Sequence, residues 1–310
     1  MEYPLIFQLL LSFVAAFLLY LVAIYSPIKE QHKAHIKTIM WRWIYTMGPF
    51  LLMLGFSQME LGKICAFIFI LLTMQRACEE YTKRLLMSHD FNKFLAISAI
   101  CTLASAAFTP KIFILMPHFV LLIAMAFAIW RIRFENSWAE IGQSLLAWTW
   151  LILPISTFVL IALSHNGTNK LIALGLTVAT ANYVSEFVRI LGLEFLHIPL
   201  ENSIDMLRHR WKLRLCECFG LIGSMIGAYF LLKCLLVIVP QVDESEAILL
   251  ALVIGCTSFF GAASLRLFIK ITDQTDPCFL NARKIHVLDK IAPFTFTNSA
   301  AYLLYTITAS

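Results

Sequence analysis

The sequence predicts an all-α, polytopic membrane protein with about ten membrane helices, and three observations carry that expectation. The chain has 310 residues, of which 60% are hydrophobic and only 14% charged, whereas a soluble domain is nearer half apolar and a quarter charged. The apolar excess, a mean hydropathy of +0.80, is gathered into blocks of roughly 16–22 residues, the length that crosses a hydrocarbon core of about 30 Å. Of the 24 lysines and arginines, 20 fall in alternate loops between those blocks, which is the distribution that orients membrane helices.

Taken in order, the expected segments are about 5–25, 41–57, 62–76, 93–109, 112–130, 143–163, 169–188, 218–239, 246–268 and 291–308. The first lacks the basic leader and small-residue cleavage site of a signal peptide and is long for one, so it reads as a retained helix. A short turn near residues 57–62 separates the second and third. Thr109, Pro110 and Lys111 separate the fourth and fifth, because proline suits a turn better than a helix interior. The loops 26–42, 76–93, 131–142, 189–217 and 264–290 carry 4, 4, 2, 5 and 5 basic residues, while 240–246 is purely acidic. The basic loops are therefore expected in the cytoplasm and both termini outside. No linker, repeat or low-complexity tract divides the chain. It reads as one membrane domain over 1–310: an extra helix and basic loop at 1–40, N-terminal helices over 41–165, and a half at 166–310 that holds the long cytoplasmic loops and hence the expected chemistry.

The net charge of +5 is modest, and its placement speaks for membrane topology rather than nucleic acid. The eight cysteines are scattered, with no zinc spacing or disulfide framework; Cys216 and Cys218 form a lone C-x-C that reads as buried thiols. There is no catalytic triad, P-loop or G-x-G-x-x-G.

Three polar stretches interrupt the apolar pattern. Residues 264–293 hold Asp273, Asp276 and Asp289 with Arg266, Lys270, Arg283, Lys284 and Lys290. Aspartates at a membrane edge suit Mg²⁺ shared with substrate phosphates, and the cations suit the phosphates; the same residues also fit a helix cap beside a positive-inside loop. Asn182, Ser185 and Glu186 recur at i, i+3, i+4 and share one helix face. A carboxylate so near hydrocarbon is a functional candidate, or else faces water at an interfacial helix end. Arg208, Arg210, Lys212 and Arg214 precede Glu217 and suit anionic headgroups or nucleotide phosphates. Gly220, Gly223 and Gly227 follow at a spacing that predicts close helix packing. Glu79 and Glu80 read as a solvated helix end, and Lys233 as a snorkelling lysine.

In their order these stretches resemble the phosphatidate cytidylyltransferase (CDP-diacylglycerol synthase) family. Asp276 matches the aspartate of that family's K-D element, and Asp289-Lys290 its D-R pair at the start of the last helix. The 178–192 region, with ATANYVSEFVRILG, is similar to A-N-D-x-x-A-Y-x-x-G-R-x-x-G. WKLRLCECFGLIGS (211–224) is similar to S-P-K-K-T-x-E-G-x-x-G-G, setting Arg214 on a lysine and Glu217 on the glutamate. CEEYTKRLL (78–86) is similar to W-E-F/Y-x-R-L-L. Against the family pattern, Ala282 to His286 replaces P-G-H-G-G, Tyr183 replaces the aspartate of A-N-D, and Ala292 the second aspartate of D-R-x-D.

The resemblance implies a cytidylyltransferase-like C-terminal half that moves CMP from CTP to phosphatidic acid or a related anionic lipid. It implies Asp276 and Asp289 on Mg²⁺ (or Mn²⁺), with Asp276, Asp289, Lys290 and Glu217 in the catalytic machinery. Asn182, Ser185, Glu186, Arg214, Lys270, Arg283 and Lys284 then bind substrate. It further implies an inner or plasma membrane location with a cytoplasmic site, and a possible homodimer. A non-catalytic lipid- or partner-binding member of the fold, a CTP-dependent polyprenol kinase and a transporter are the alternatives. Polar groups at the cytoplasmic edge, rather than the midplane, set the transporter last.

Overall fold

The computed structural model describes residues 17, 21, 25, 60–85, 87, 89–130, 134–164, 167–196, 210–238, 244–272 and 287–308; some side chains within these helices, Lys270 and Asp289 among them, fall outside the described set. Among the described residues every regular element is helical: α1 Glu60–Arg84, α2 His89–Phe108, α3 Pro110–Phe113, α4 Met116–Trp130 and α5 Phe134–Ala147, then a π-helical turn Trp148–Ile152. There follow α6 Leu153–Leu163, α7 Gly167–Phe195, α8 Arg210–Ile238, α9 Glu244–Thr272 and α10 Val287–Thr308.

Among the described residues, five stretches are long and apolar enough to cross a membrane: His89–Phe108, Ala139–Leu163, Lys170–Phe195, Trp211–Lys233 and Ile248–Ile269. They coincide with the expected segments 93–109, 143–163, 169–188, 218–239 and 246–268. The protein is membrane-embedded, and all-helical among the described residues. Of the other expected segments, 5–25 and 41–57 lie outside the described residues apart from Phe17, Leu21 and Tyr25. The expected segments 62–76, 112–130 and 291–308 fall on α1, on α3 with α4, and on α10, where the described residues do not make a span of that length and polarity.

The chain forms two compact units, residues 52–171 with 286–310, and residues 1–51 with 172–285. In the first, Met74, Tyr81, Phe91, Leu95, Leu103, Trp148, Leu151 and Ile152 are fully buried. Two of its large buried side chains find polar partners inside: the Trp148 indole N–H donates to Thr102 Oγ1 at 3.0 Å, and the Tyr81 hydroxyl to the Gln143 carbonyl at 3.1 Å. Such partners are what make burial of tryptophan and tyrosine favourable. Pro154 explains the π turn before it. A proline cannot donate to the carbonyl four residues back and its ring crowds that carbonyl; the wider turn at Trp148–Ile152 moves it aside. The α2 helix ends at Phe108, Thr109 is the N-cap of α3 and Pro110 its first residue, a position where the missing N–H costs nothing. The turn expected at Thr109–Lys111 is thus present.

The start of α10 is held by α1. Glu80 accepts the backbone N–H of Val287 through Oε1 and of Leu288 through Oε2, both at 3.1 Å. These are two of the amides that a helix start leaves without partners, and a carboxylate there also meets the positive end of the helix dipole. The expectation of a solvated end at Glu79 and Glu80 is therefore revised for Glu80.

The second unit is built on α8. On one side its glycines receive α7: a Cβ on Gly223 would fall 2.9 Å from the Cβ of Val188, and one on Gly227 the same distance from the Cβ of Val184. On another side Gly255 of α9 meets the Met225 backbone, where a Cβ would lie 2.7 Å from Cα, and Ser224 Oγ donates to the Gly255 carbonyl at 2.8 Å. Ile222, Ile226 and Phe230 face outward. In lipid, where burial of apolar surface gives little drive for helix association, small residues that admit close backbone contact are what bind helices. The expected packing role of Gly220, Gly223 and Gly227 is borne out.

Each of α7, α8 and α9 is 29 residues long, about 44 Å at 1.5 Å per residue. That exceeds a hydrocarbon core of about 30 Å by roughly two to three turns. Stretches expected as loop therefore continue as helix: Arg189, the run 210–217, Arg266 and Lys270 are all helical. Arginine, lysine and glutamate are good helix formers, so polarity ended the apolar signal without ending the helix.

Candidate functional site

The second unit gathers four charges where α7 ends, α8 begins and α9 ends. Glu186 lies nine residues before the last residue of α7, Glu217 seven after the first of α8, and Arg266 six before the last of α9. The Arg189 guanidinium donates through Nε at 3.0 Å and Nη2 at 2.7 Å, both to Glu186 Oε2. The other Glu186 oxygen, Oε1, accepts from Arg266 Nη1. Arg266 Nη2 in turn donates to Glu217 Oε2 at 2.8 Å. The order along the network is Arg189, Glu186, Arg266, Glu217, so the signs alternate and the formal sum is zero.

Burial differs along this chain of charges. The side chains of Glu186, Arg189 and Arg266 are 16%, 19% and 20% exposed, and that of Glu217 is 42% exposed. Arg266 also lies over the Phe259 ring, with Cζ 5.7 Å from its centre, a cation–π contact that steadies a partly desolvated guanidinium. Around the network, Gly220 brings α8 close to α7: a Cβ there would lie 3.4 Å from Ser185 Oγ and 3.6 Å from the Arg189 Cβ. The tighter neighbour of that Cβ would be the Phe259 ring of α9, at 3.2 Å. Because α7 and α9 contribute their C-terminal ends and α8 its N-terminal end, the three helices alternate in direction. The loops after α7 and after α9 leave from the same end, as the sequence pattern requires.

Of the residues singled out in the sequence, the structure brings Glu186 and Glu217 together through Arg266. Ser185 is buried beside Gly220, and Asn182 is half-buried one turn earlier on α7. Arg214 is exposed on the first turns of α8 and takes no part in the network. Lys290 is half-buried in the first turn of α10, in the other unit. Asp276, Arg283 and Lys284 lie outside the described residues, as do the side chains of Lys270 and Asp289. Cys216 is buried and Cys218 exposed, so the expectation of two buried thiols is corrected for Cys218, and positions two apart on a helix point to different sides rather than to a common ligand. Lys233 is exposed, with its Nζ 3.3 Å from the Tyr229 hydroxyl.

Of the two arginines of the network, Arg189 was not singled out in the sequence, and Arg266 was named only among the cations of 264–293. Arg189 carried a signal, since it stands three residues after Glu186, the spacing of a helical ion pair. Arg266 carried a weaker one: it is a lone cation near the end of the expected segment 246–268, inside α9. Its partners, 80 and 49 residues away, have no local signature.

Among the described residues no three His, Cys, Asp or Glu side chains converge as a metal site would require. Neither a protein-family model nor a curated protein matches the chain.

Proposed function

We propose that the chain is a membrane-embedded transferase of the cytidylyltransferase type, which moves CMP from CTP to phosphatidic acid or a related lipid phosphate. One observation supports this reading. Two stretches that resemble the cytidylyltransferases, 178–192 and 211–224, supply Glu186 and Glu217, and Arg266, which is not itself a matched position, joins both carboxylates in one network at one end of α7, α8 and α9. In the reaction an oxygen of the lipid phosphate attacks the α-phosphorus of CTP. The bond from that phosphorus to the β-phosphate oxygen breaks, and pyrophosphate leaves. Charge builds on phosphate oxygens throughout, so catalysis of this class is largely positioning and charge neutralisation.

In this reading Arg214, Lys270, Lys290, Arg283 and Lys284 hold phosphates, and Asn182 and Ser185 orient substrate from α7. The site faces the cytoplasm of an inner or plasma membrane, where CTP is available. Mg²⁺, when bound by Asp276 and Asp289, supplies neutralisation of phosphate charge. The described carboxylates Glu186 and Glu217 do not fit that role, because both are engaged by Arg266.

The second reading is a non-catalytic lipid- or partner-binding protein of the same fold. It is favoured by Ala282 to His286 standing where the family has glycines, because glycine permits the close backbone approach to phosphate that other residues do not. Purified protein with Mg²⁺, labelled CTP and phosphatidic acid separates the two. The transferase reading expects CDP-lipid from the native chain and a fall of at least about 100-fold in Asp276→Ala and in Asp289→Ala, each removing roughly 3 kcal/mol of charge stabilisation. Absence of product across several lipids and nucleotides supports the non-catalytic reading.

A further inference from the structure

We propose that Glu217 is an exchangeable counter-ion, and that it occupies on Arg266 the position of a substrate phosphate. The inference rests on the reading of the site as one for phosphate-bearing ligands, but not on catalysis.

The two arginines already hold an oxyanion. Arg189 and Arg266 come from different helices and donate to the two oxygens of one carboxylate, that of Glu186. A guanidinium fork fits carboxylate and phosphate oxygens alike. The donors are also not used up. A guanidinium has five N–H groups, and among the described residues each arginine spends two donor contacts on the network. None of their nitrogens is both sealed from solvent and without a partner.

Of the two carboxylates on Arg266, one is braced and one is not. Glu186 is 16% exposed and is held by both arginines. Glu217 is 42% exposed and is bound only by Arg266 among the described residues. Pairs this exposed contribute about 0–1 kcal/mol, little enough for an incoming anion to replace. A phosphate group carries about −1.5 to −2 charges near neutral pH, against one for the carboxylate, and so gains more from the same guanidinium. The displaced Glu217 has a second cation within reach. Arg214 stands three residues before it on α8, the spacing of a helical ion pair. Glu186 stays in place and keeps Arg266 positioned, while Phe259 supports the guanidinium from below.

The exchange makes a prediction of sign. Binding is measured for the full chain in nanodiscs of neutral phosphatidylcholine, with inorganic pyrophosphate in solution in one arm and phosphatidic acid in the disc in the other. Glu217→Gln keeps the shape of the side chain but removes the competing charge, so affinity is expected to rise roughly threefold to tenfold. Arg266→Gln is expected to lower it at least about tenfold, with Arg266→Lys in between. An unchanged or weaker affinity in Glu217→Gln overturns the proposal, and so does binding of neither ligand by the native chain and Glu217→Gln. Should Arg266→Gln not fold, the direction in Glu217→Gln still decides. Response in the pyrophosphate arm alone assigns the position to a soluble phosphate such as that of a nucleotide; response in the other arm alone assigns it to the lipid. Binding that behaves as expected without any CDP-lipid formation supports the exchange and removes the transferase reading, so the two fail separately.

Discussion

A Cβ added to Gly223 would lie 2.9 Å from the Cβ of Val188 and 3.1 Å from the Val184 carbonyl oxygen. The neighbours are a β-branched stem and backbone, neither of which can swing away. Gly223→Ala is therefore expected to cost about 1–3 kcal/mol, as overpacking does. Gly142 of α5 has nothing within 4 Å, so Gly142→Ala is expected to be neutral or to gain up to about 1 kcal/mol from helix propensity. Unfolding temperatures of the two variants in one detergent check the contrast, and equal shifts would contradict the close approach of α7 and α8.

Glu80 holds the first amides of α10 from a position 207 residues away in sequence. Replacing it with alanine removes a cap, which costs about 0.5–2 kcal/mol. Amide hydrogen exchange supplies the local test. Val287 and Leu288 are expected to lose protection in Glu80→Ala while the amides of α8 do not, and uniform loss would point instead to general destabilisation.

The two carboxylates on Arg266 are expected to contribute unequally. Removing the guanidinium in Arg266→Ala leaves Glu186 short of a partner in a mostly buried place, at a cost of about 3–5 kcal/mol if fully desolvated and less here. In double-mutant cycles the coupling of Arg266 to Glu186 should exceed its coupling to Glu217, which solvent screening holds below about 1 kcal/mol. The reverse order would mean that exposure does not govern this network.

Cys78 is buried, and burial, with a further push from the Glu79 charge, raises its thiol from 9.0 to about 12. The neutral thiol is the form that folding favours. Its contribution to stability is fully present below 9.0, declines as pH rises above that value, and is lost by about 12, at up to about 1.4 kcal/mol per pH unit within the window. Cys78→Ala is expected to flatten the stability curve between those limits. At neutral pH a maleimide should reach the exposed Cys218 well before Cys78, since the thiolate is the reactive form; early modification of Cys78 in folded protein would contradict its burial.

The charge pattern expects the acidic stretch 240–246 on the outer face. An impermeant thiol reagent should label Asp243→Cys from outside in a chain lacking its other cysteines. Labelling from the cytoplasm instead would reverse the orientation and, with it, the cytoplasmic site.

The sequence by itself determined the class of the protein and much of its plan. Helices that cross lipid must pair their backbone groups internally and show lipid an apolar surface, and both requirements are written locally, residue by residue. That is why five expected segments coincide with helices able to span a membrane, why Gly220, Gly223 and Gly227 mark a packing face, and why Glu186 stood out as an expensive carboxylate. Helix ends were less legible, because charged helix formers carried α7, α8 and α9 past the points where hydropathy falls. Only the tertiary structure decided which charges neutralise one another. Arg266 meets Glu186 and Glu217 because glycines let α7, α8 and α9 approach, and Glu80 meets Val287 because α1 packs beside α10. Coulomb attraction acts through a few ångströms of space and takes no account of separation along the chain, so partners 49, 80 and 207 residues apart leave no local pattern to read.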